Sequence, residues 1–193
     1  MTVDDTVPTS AGLSSFNLLD EDKFFTALAL KPGMTLLDFA CGVGNYAIAA
    51  VPYVGDTGRI YAVDPWEEGI ETLEVRAAMA RRENIHPLVC GAGADLPLSD
   101  NTVDLCIMAT VLHILAQEQL IRDTMREIQR VLKPGGIVAA VEFHKIEGPP
   151  GPPLSWRLAP DELGEMLAAL GFLVKETVEI GIHNYLSLFR CPR

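Results

Sequence analysis

The chain alternates between short apolar runs and segments in which apolar residues recur with helical spacing. Short apolar runs are typical of buried strands, whereas apolar positions three or four apart are typical of one face of a helix. Alternation of the two is typical of a parallel sheet with helices on its faces. The runs that predict strands are 35–40, 59–64, 87–91, 103–108, 137–143, 172–180 and 184–191.

The segments between these runs predict helices. One helix or two short ones are expected over 16–30, and others from about 44 and over 67–82, 117–132 and 160–170. Lys133-Pro134-Gly135-Gly136 should end the helix at 117–132, because proline cannot continue a helix and glycine accepts the left-handed conformation.

Only Gly181-Ile182-His183 links the last two predicted strands. A link that short cannot form a parallel crossover, so the last strand must run antiparallel to its neighbour. We therefore predict an α/β fold, a Rossmann-like three-layer sandwich around a seven-stranded, mostly parallel sheet whose last strand is antiparallel. A length of 193 residues suits a single domain, expected over 15–193 after a flexible N-terminus at 1–14.

Composition and charge narrow the classes of function. The 26 acidic and 15 basic residues give a net charge of −11, which disfavours nucleic acids and anionic membranes as partners. No apolar run approaches the roughly 20 residues needed for a membrane span, and the acidic start lacks the pattern of a secretory signal. We expect a cytoplasmic protein without a metal site, and the sequence does not indicate its oligomeric state.

The first candidate site follows the first predicted strand. Leu37-Asp38-Phe39-Ala40-Cys41-Gly42-Val43-Gly44 opens from a strand into a glycine turn before a helix. Gly42 and Gly44 let the backbone approach a ligand, and the helix N-terminus offers N–H groups to a carboxylate or phosphate. The spacing Gly42-x-Gly44-x-x-Ala47 also satisfies the dinucleotide fingerprint, and such a turn can be purely structural.

Two acids at later strand ends favour an adenosine ligand. Asp64 ends the second strand, 20 residues beyond Gly44, where a carboxylate can accept hydrogen bonds from both ribose hydroxyls. Its alternative role is a helix N-cap. Asp95 follows the third strand, where it can accept a hydrogen bond from an adenine amino group while Leu96 covers the ring. The alternative for Asp95 is an ordinary surface acid.

The ordered set of motifs resembles the class I S-adenosylmethionine-dependent methyltransferases, in particular the small-molecule branch that includes the ubiquinone and menaquinone biosynthesis methyltransferases. The resemblance covers about residues 15–193. It is carried by Leu37-Asp38-x-x-Cys41-Gly42-x-Gly44, Val63-Asp64, Ala94-Asp95-Leu96-Pro97, Asp104-Leu105 and Leu132-Lys133-Pro134-Gly135-Gly136.

This resemblance implies that S-adenosylmethionine is the cofactor and that a small molecule accepts its methyl group. Gly42 and Gly44 would lie beside the methionine carboxylate, with Asp38 orienting the loop and the amino group. Asp64 would bind the ribose. The adenine would lie among Pro65, Trp66, Ala94, Asp95 and Leu96, although Trp66 is equally suited to packing. Ala40 departs from the family pattern, which places glycine there, so we expect a slightly shifted loop.

The acceptor should lie at the carboxyl ends of the fourth and fifth strands, near the point where strand order reverses. This edge would bring Ala109 and Thr110 to the cofactor and the acceptor, and His113 and His144 are candidate bases. The alternative for His113 is a residue at the start of a helix, and the alternative for His144 is a solvated residue at the end of a strand. Arg157 would bind an anionic acceptor or pair with nearby carboxylates, and the proline-rich loop before it would form a semi-rigid pocket wall.

Two other functions stay open from the sequence. An NAD-dependent oxidoreductase explains the glycine turn and Asp64 but leaves Asp38, the Asp95 segment and the antiparallel last strand unexplained. A noncatalytic regulatory protein that keeps the cofactor fold is the second, because a fold does not guarantee turnover.

Overall fold

The computed structural model describes residues 12–191. The predicted flexible segment 1–14 therefore lies outside the described residues except for its last three positions. The strands are β1 (Thr35–Phe39), β2 (Arg59–Asp64), β3 (Ile85–Val89), β4 (Val103–Ala109), β5 (Leu132–Phe143), β6 (Leu173–Glu179) and β7 (Asn184–Arg190). The α-helices are α1 (Glu21–Leu28), α2 (Asn45–Val54), α3 (Glu67–Met79), α4 (Leu112–Gln117), α5 (Ile121–Val131) and α6 (Pro160–Ala168).

The seven strands form one sheet in the order β3-β2-β1-β4-β5-β7-β6. Strands β1 to β5 pair in parallel, whereas β7 lies between β5 and β6 and is antiparallel to both. The predicted fold class is therefore confirmed, including the reversed last strand. Strand order reverses between β1 and β4, so the carboxyl ends of these strands border the crevice in which ligands bind to such sheets.

Helices cover both faces of the sheet. Successive residues Leu36 and Leu37 are both fully buried, and they pack into different clusters on opposite faces. Residues of α1, α2 and α3 fill one cluster, and residues of α4, α5 and α6 fill the other. A central parallel strand buried on both sides needs a nearly continuous apolar run, which explains why β1 lacks the polar alternation of a half-exposed strand.

Some element boundaries differ from the prediction. The helix expected at 117–132 begins later, at Ile121 of α5, because Gln119 takes a left-handed φ of 60° and separates α5 from α4. Strand β5 begins at Leu132, the expected last residue of that helix and five residues before the expected strand at 137–143, since buried Leu132 pairs with Val103 across a register irregularity. Strand β3 begins two residues before its expected start, because Ile85 packs in the core.

The loop at 145–157 is organised by Arg157, whose side chain is only 4% exposed. A guanidinium has five N–H groups, and here each has a backbone carbonyl to donate to. The acceptors are Pro152 for Nε, His144 and Ile146 for Nη1, and Gly148 and Pro150 for Nη2, at 2.6–3.1 Å. The guanidinium carbon also lies 5.7 Å from the centre of the Phe143 ring.

These contacts correct the expected role of Arg157. No carboxylate pairs with it within residues 12–191, and the loop carbonyls use all five of its donors, which leaves none for an anionic acceptor. The residue is a structural centre that shapes the proline-rich loop, so the rigidity of the loop comes from hydrogen bonds as well as from its prolines.

Replacing Arg157 by lysine should loosen this loop. A lysine ammonium has three N–H groups, so at least two of the five carbonyls would lose their partner, and we expect a loss of about 1–3 kcal/mol in the free energy of unfolding. Denaturant unfolding measures this loss, and trypsin should cleave faster after Lys145. Arg59→Lys, at an exposed position, is the matched control. Equal stability of the two variants would contradict the role given to Arg157.

Candidate functional site

Asp38 lies near the carboxyl end of β1 and supports the start of α2. Its side chain is 1% exposed, and its Oδ2 accepts a hydrogen bond from the N–H of Ala47 at 3.0 Å. The pKa of Asp38 is raised to about 7, mainly by burial and also by the nearby charge of Asp64, although the hydrogen bond from Ala47 lowers it. The carboxyl group is therefore set to change its charge near neutral pH.

Gly42 and Gly44 serve different purposes, although both have positive φ. A Cβ on Gly42 would meet no atom within 4 Å, so one side of the turn is open to a ligand. A Cβ on Gly44 would overlap the side chain of Leu73 in α3. Gly42 thus fits the expected ligand role, whereas Gly44 also lets α2 and α3 pack together.

Ala40 adopts a left-handed φ of 59°. The loop keeps its turn, with the Cys41 N–H donating to the carbonyl of Val63 at 3.0 Å and the Gly44 N–H to that of Cys41 at 2.8 Å. Alanine therefore takes up the left-handed conformation that favours glycine. The strain costs about 1–2 kcal/mol for a residue with a Cβ.

Asp64 connects the glycine turn to the end of β2. Its Oδ2 accepts from the N–H of Gly42 at 2.8 Å and its Oδ1 from that of Trp66 at 2.9 Å. The residue is 7% exposed, and burial raises its pKa while the two hydrogen bonds lower it. Asp64 thus supports the glycine turn at Gly42, whereas the N-cap position of α3, its alternative role from the sequence, is occupied by Trp66.

Pro65 and Trp66 follow directly, and Trp66 begins α3 as its N-terminal flanking residue. Pro65 is exposed, whereas Trp66 is half-buried. A Cβ on Gly69 would overlap the indole of Trp66 and lie 3.1 Å from the carbonyl oxygen of Gly42. The indole therefore packs over Gly69, at the end of α3 that lies against the glycine turn.

The segment predicted to hold the adenine divides into exposed and buried parts. Ala94 and Asp95 are exposed, but Leu96 is 3% exposed and packs in the core. The N–H of Leu96 donates to Glu127 at 3.1 Å, and its carbonyl accepts from Arg130 at 3.0 Å. Leu96 therefore anchors the loop, which corrects the expectation that it covers the ring.

On the acceptor side, β4 ends at Ala109, which is half-buried, and Thr110 follows with a left-handed φ of 53°. The N–H of Thr110 donates to Val141 of β5 at 2.7 Å. This bond turns the chain so that α4 begins over the end of β5. It thereby brings His113 to Glu142.

His113 and Glu142 form a buried pair. Glu142 is fully buried and His113 is 4% exposed, with 2.7 Å between His113 Nδ1 and Glu142 Oε2. The other carboxylate oxygen accepts from the backbone N–H of His113 at 3.2 Å. Sequence reasoning singled out His113 but missed its partner. An acid inside the apolar run Val138-Ala139-Ala140-Val141-Glu142-Phe143 was the signal for it.

His144, the other candidate base, has a different environment. Its Nε2 lies 2.8 Å from Glu179 Oε2, and the carboxylate of Glu179 is 70% exposed. The ring also packs beside Tyr185, with centroids 5.4 Å apart. His144 thus contacts Glu179 of β6 and Tyr185 of β7 in a partly solvated position, close to the solvated strand end considered from the sequence.

A further polar pair at this edge has no clear sequence signal. The hydroxyl of Tyr46, in the first turn of α2, lies 2.8 Å from Ser15 Oγ, and both residues are buried. Burial raises the pKa of Tyr46, and the charges of Asp38 and Glu142 raise it further. The segment before α1 therefore covers the first turn of α2 beside the glycine turn.

Two features are absent from the part of the chain that the structure describes. None of its helices has the length and apolar character needed to cross a bilayer. Within the same residues, no three His, Cys, Asp or Glu side chains group in a way that could hold a metal ion.

Comparisons with known proteins show which family the chain is similar to. A family model described as a methyltransferase domain matches residues 37–140. The chain is 35% identical over 115 residues to a 2-phytyl-1,4-naphtoquinone methyltransferase of Trichormus variabilis, covering 60% of this chain and 49% of the relative. It is 33% identical over 123 residues to a demethylmenaquinone methyltransferase of Symbiobacterium thermophilum, covering 64% and 48%. The chain thus spans about half the length of these curated relatives.

A solved structure is similar over nearly the whole chain. The crystal structure of a SAM dependent methyltransferase from Aquifex aeolicus has a TM-score of 0.83 and 29% identity. The match covers 95% of this chain and 94% of that one.

Ala40→Gly should stabilise the protein by about 0.5–1 kcal/mol, because glycine adopts positive φ without the steric cost that alanine has. Denaturant unfolding measures the change. Ala78→Gly, at an exposed position in α3, is the control and should destabilise by about 1 kcal/mol. A loss of stability in both variants would show that Ala40 is not strained.

Proposed function

Because the chain belongs to the methyltransferase domain family, we propose that it transfers a methyl group from S-adenosylmethionine to a small-molecule acceptor. The observation that carries this proposal is the pair of buried acids, Asp38 and Asp64, on either side of a glycine turn that is open at Gly42. The cofactor would supply an electrophilic methyl group. The protein would bind it, orient it and exclude water.

The residues fit the parts of this cofactor. Asp38 is a buried carboxyl group suited to the ammonium of its amino-acid portion. Asp64 keeps lone pairs for ribose hydroxyls beyond the two N–H groups it already accepts, because a carboxylate has about four acceptor positions. The N–H groups of the turn and of the first turn of α2 suit the carboxylate of the cofactor.

The base of the cofactor would lie against the surface beyond Asp64. Exposed Pro65 and half-buried Trp66 present an apolar face there, and Asp95 presents an exposed acceptor for an adenine amino group. Ala94 adjoins this position. Ala109 and Thr110 would border the methyl group and the acceptor, because Ala109 ends β4 and Thr110 follows it, at the point where strand order reverses.

The acceptor is a small molecule in this proposal. The two curated relatives are named for methylation of naphthoquinone-type compounds, and this chain shares 33–35% identity with parts of them. A quinone-like ring is therefore the first acceptor class to test. The net charge of −11 favours a neutral acceptor over a polyanion.

The test has a binding step and a turnover step. S-Adenosylmethionine and its demethylated product should raise the unfolding temperature, whereas NAD should not, because only a ligand that binds the native state stabilises it. Asp64→Ala should weaken binding by about 1–3 kcal/mol, with Glu71→Ala on the exposed side of α3 as its control. Methyl-labelled cofactor, incubated with a metabolite extract, should yield a labelled small product.

Each alternative predicts a different result. Stabilisation by NAD alone would favour an oxidoreductase. Binding of S-adenosylmethionine without any labelled product from the extract would favour a noncatalytic cofactor-binding protein.

Cofactor affinity should depend on pH through Asp38. With a pKa of about 7 in the free protein, its ionised fraction falls from about nine-tenths at pH 8 to about one-tenth at pH 6, so binding of the cofactor ammonium should weaken roughly tenfold. Calorimetric titration at several pH values measures this. Asp38→Asn should bind weakly at every pH, since the amide oxygen still accepts from Ala47 but carries no charge. An unchanged pH profile in that variant would contradict the assignment.

The free energy of unfolding should change with pH in the opposite direction to cofactor affinity. The native state holds the Asp38 proton more tightly than the unfolded chain, so its contribution favours folding at low pH and is lost as pH rises towards about 7. Asp38→Asn should remove this dependence, which separates the effect of the charge on folding from its effect on binding.

A further inference from the structure

The pair formed by Glu142 and His113 has a geometry that determines which ring nitrogen holds the proton. One oxygen of Glu142 lies 2.7 Å from His113 Nδ1, and the other accepts from the His113 backbone N–H at 3.2 Å. An ionised carboxylate can only accept hydrogen bonds. When Glu142 is ionised, Nδ1 carries the proton of this hydrogen bond, and the neutral imidazole then has its lone pair on Nε2.

His113 Nε2 is the free end of this pair. It has no hydrogen-bond partner in the described part of the chain, where Asn184 Oδ1 is the buried side-chain polar atom without a partner. Nε2 therefore retains contact with solvent, although the side chain is only 5% exposed. It lies in the first turn of α4, three residues after Thr110 at the topological switch of the sheet.

Burying the carboxyl group of Glu142 in these surroundings lowers the free energy of unfolding. Within residues 12–191 no lysine or arginine pairs with it, and its titratable neighbours are His113, Tyr46 of α2 and Tyr185 of β7. Burial and the charge of Glu142 raise the pKa of both tyrosines, so these remain neutral. A buried carboxylate with one imidazole partner costs more than an apolar pair of similar volume, which favours a functional reason for it.

We propose that Glu142 is a positioning residue that holds His113 as the general base for an acceptor with a phenolic or enolic hydroxyl group. This inference rests on the proposed methyl transfer and assigns the acceptor class of the same site. His113 Nε2 takes the hydroxyl proton, and the resulting electron pair forms the new bond to the methyl carbon. The carbon–sulfur bond breaks with its electrons on sulfur, which becomes a neutral thioether. Glu142 stabilises the imidazolium until the proton passes to solvent.

The first test measures which ring nitrogen of His113 is protonated, and it needs no methyl acceptor. Nitrogen-15 NMR of the histidine rings distinguishes a protonated from a bare ring nitrogen, and His113→Gln identifies the signals of His113 among the 4 histidines. We expect a protonated Nδ1 and a bare Nε2 at neutral pH in the wild type and in Glu142→Asp. In Glu142→Gln we expect a mixture of tautomers. A wild-type ring protonated on Nε2 instead, because Glu142 holds a proton, would overturn the proposal.

The second test follows methyl transfer to the metabolite extract and to 1,4-naphthoquinol as a defined phenolic probe. His113→Gln should lower the rate about a hundredfold or more, and Glu142→Gln about tenfold or more, mainly in kcat and with partial recovery in Glu142→Asp. With S-adenosylmethionine saturating at every pH, so that the charge of Asp38 does not limit the rate, the acid limb of the pH–kcat profile should disappear in His113→Gln. Affinity for S-adenosylmethionine should be unchanged, and His86→Gln on β3 is the control.

The outcomes separate the two proposals. Loss of transfer in His144→Gln but not in His113→Gln would overturn the role of the pair while leaving methyl transfer intact. Failure of the wild type to bind S-adenosylmethionine would overturn the proposed function, and the NMR spectrum would still decide the tautomer of His113. Thermal unfolding of each variant confirms that it is folded.

Discussion

The site depends on the way in which Asp64 holds the turn between β1 and α2. Its two oxygens accept the N–H groups of Gly42 and Trp66, so one carboxylate ties together the chain segments that leave two adjacent parallel strands. Asp38 does the same for the first turn of α2 through Ala47. Because both acids are buried, the turn is rigid before any ligand arrives, and preorganised polar groups bind with less loss of conformational freedom.

The fold was accessible from the sequence because each of its main features has a local cause. The three-residue link before β7 excludes a parallel crossover, and the apolar runs of β1 and β4 require burial on both faces. The ends of the strands and helices were harder to predict, since they depend on pairing and packing with residues far away in the chain. The start of β5 at Leu132 is decided by its pairing with Val103 and by the core beneath it, which no local pattern encodes.

The residues of the candidate site were predictable where a residue type at the end of a strand has one common role in ligand binding. Asp38, Gly42 and Asp64 are of this kind, and the structure brings them together. Arg157 and Leu96 were assigned wrongly because their partners are backbone groups and core residues that the sequence does not mark. The sequence alone does not distinguish an arginine that donates to five backbone carbonyls from one that binds an anion. Glu142 was missed for a related reason, since its importance lies in its pairing with a residue 29 positions away.

Three residues near the carboxyl ends of the strands lower the stability of the fold. Ala40 is strained, Asp38 is a carboxyl group whose pKa is raised by burial, and Glu142 is a buried carboxylate paired only with an imidazole. Each is an arrangement that packing alone would disfavour, and all three lie at or beside the carboxyl ends of β1 and β5. Positive φ at a residue with a Cβ also occurs before β1, β3 and β4, at Ala29, Arg81 and Asn101, so backbone strain does not distinguish this edge. Buried carboxyl groups at one edge of a well-packed sheet are expected where that edge binds charge and moves protons. This distribution supports a catalytic role for the edge more directly than resemblance of fold, because the same sheet can be kept without its chemistry.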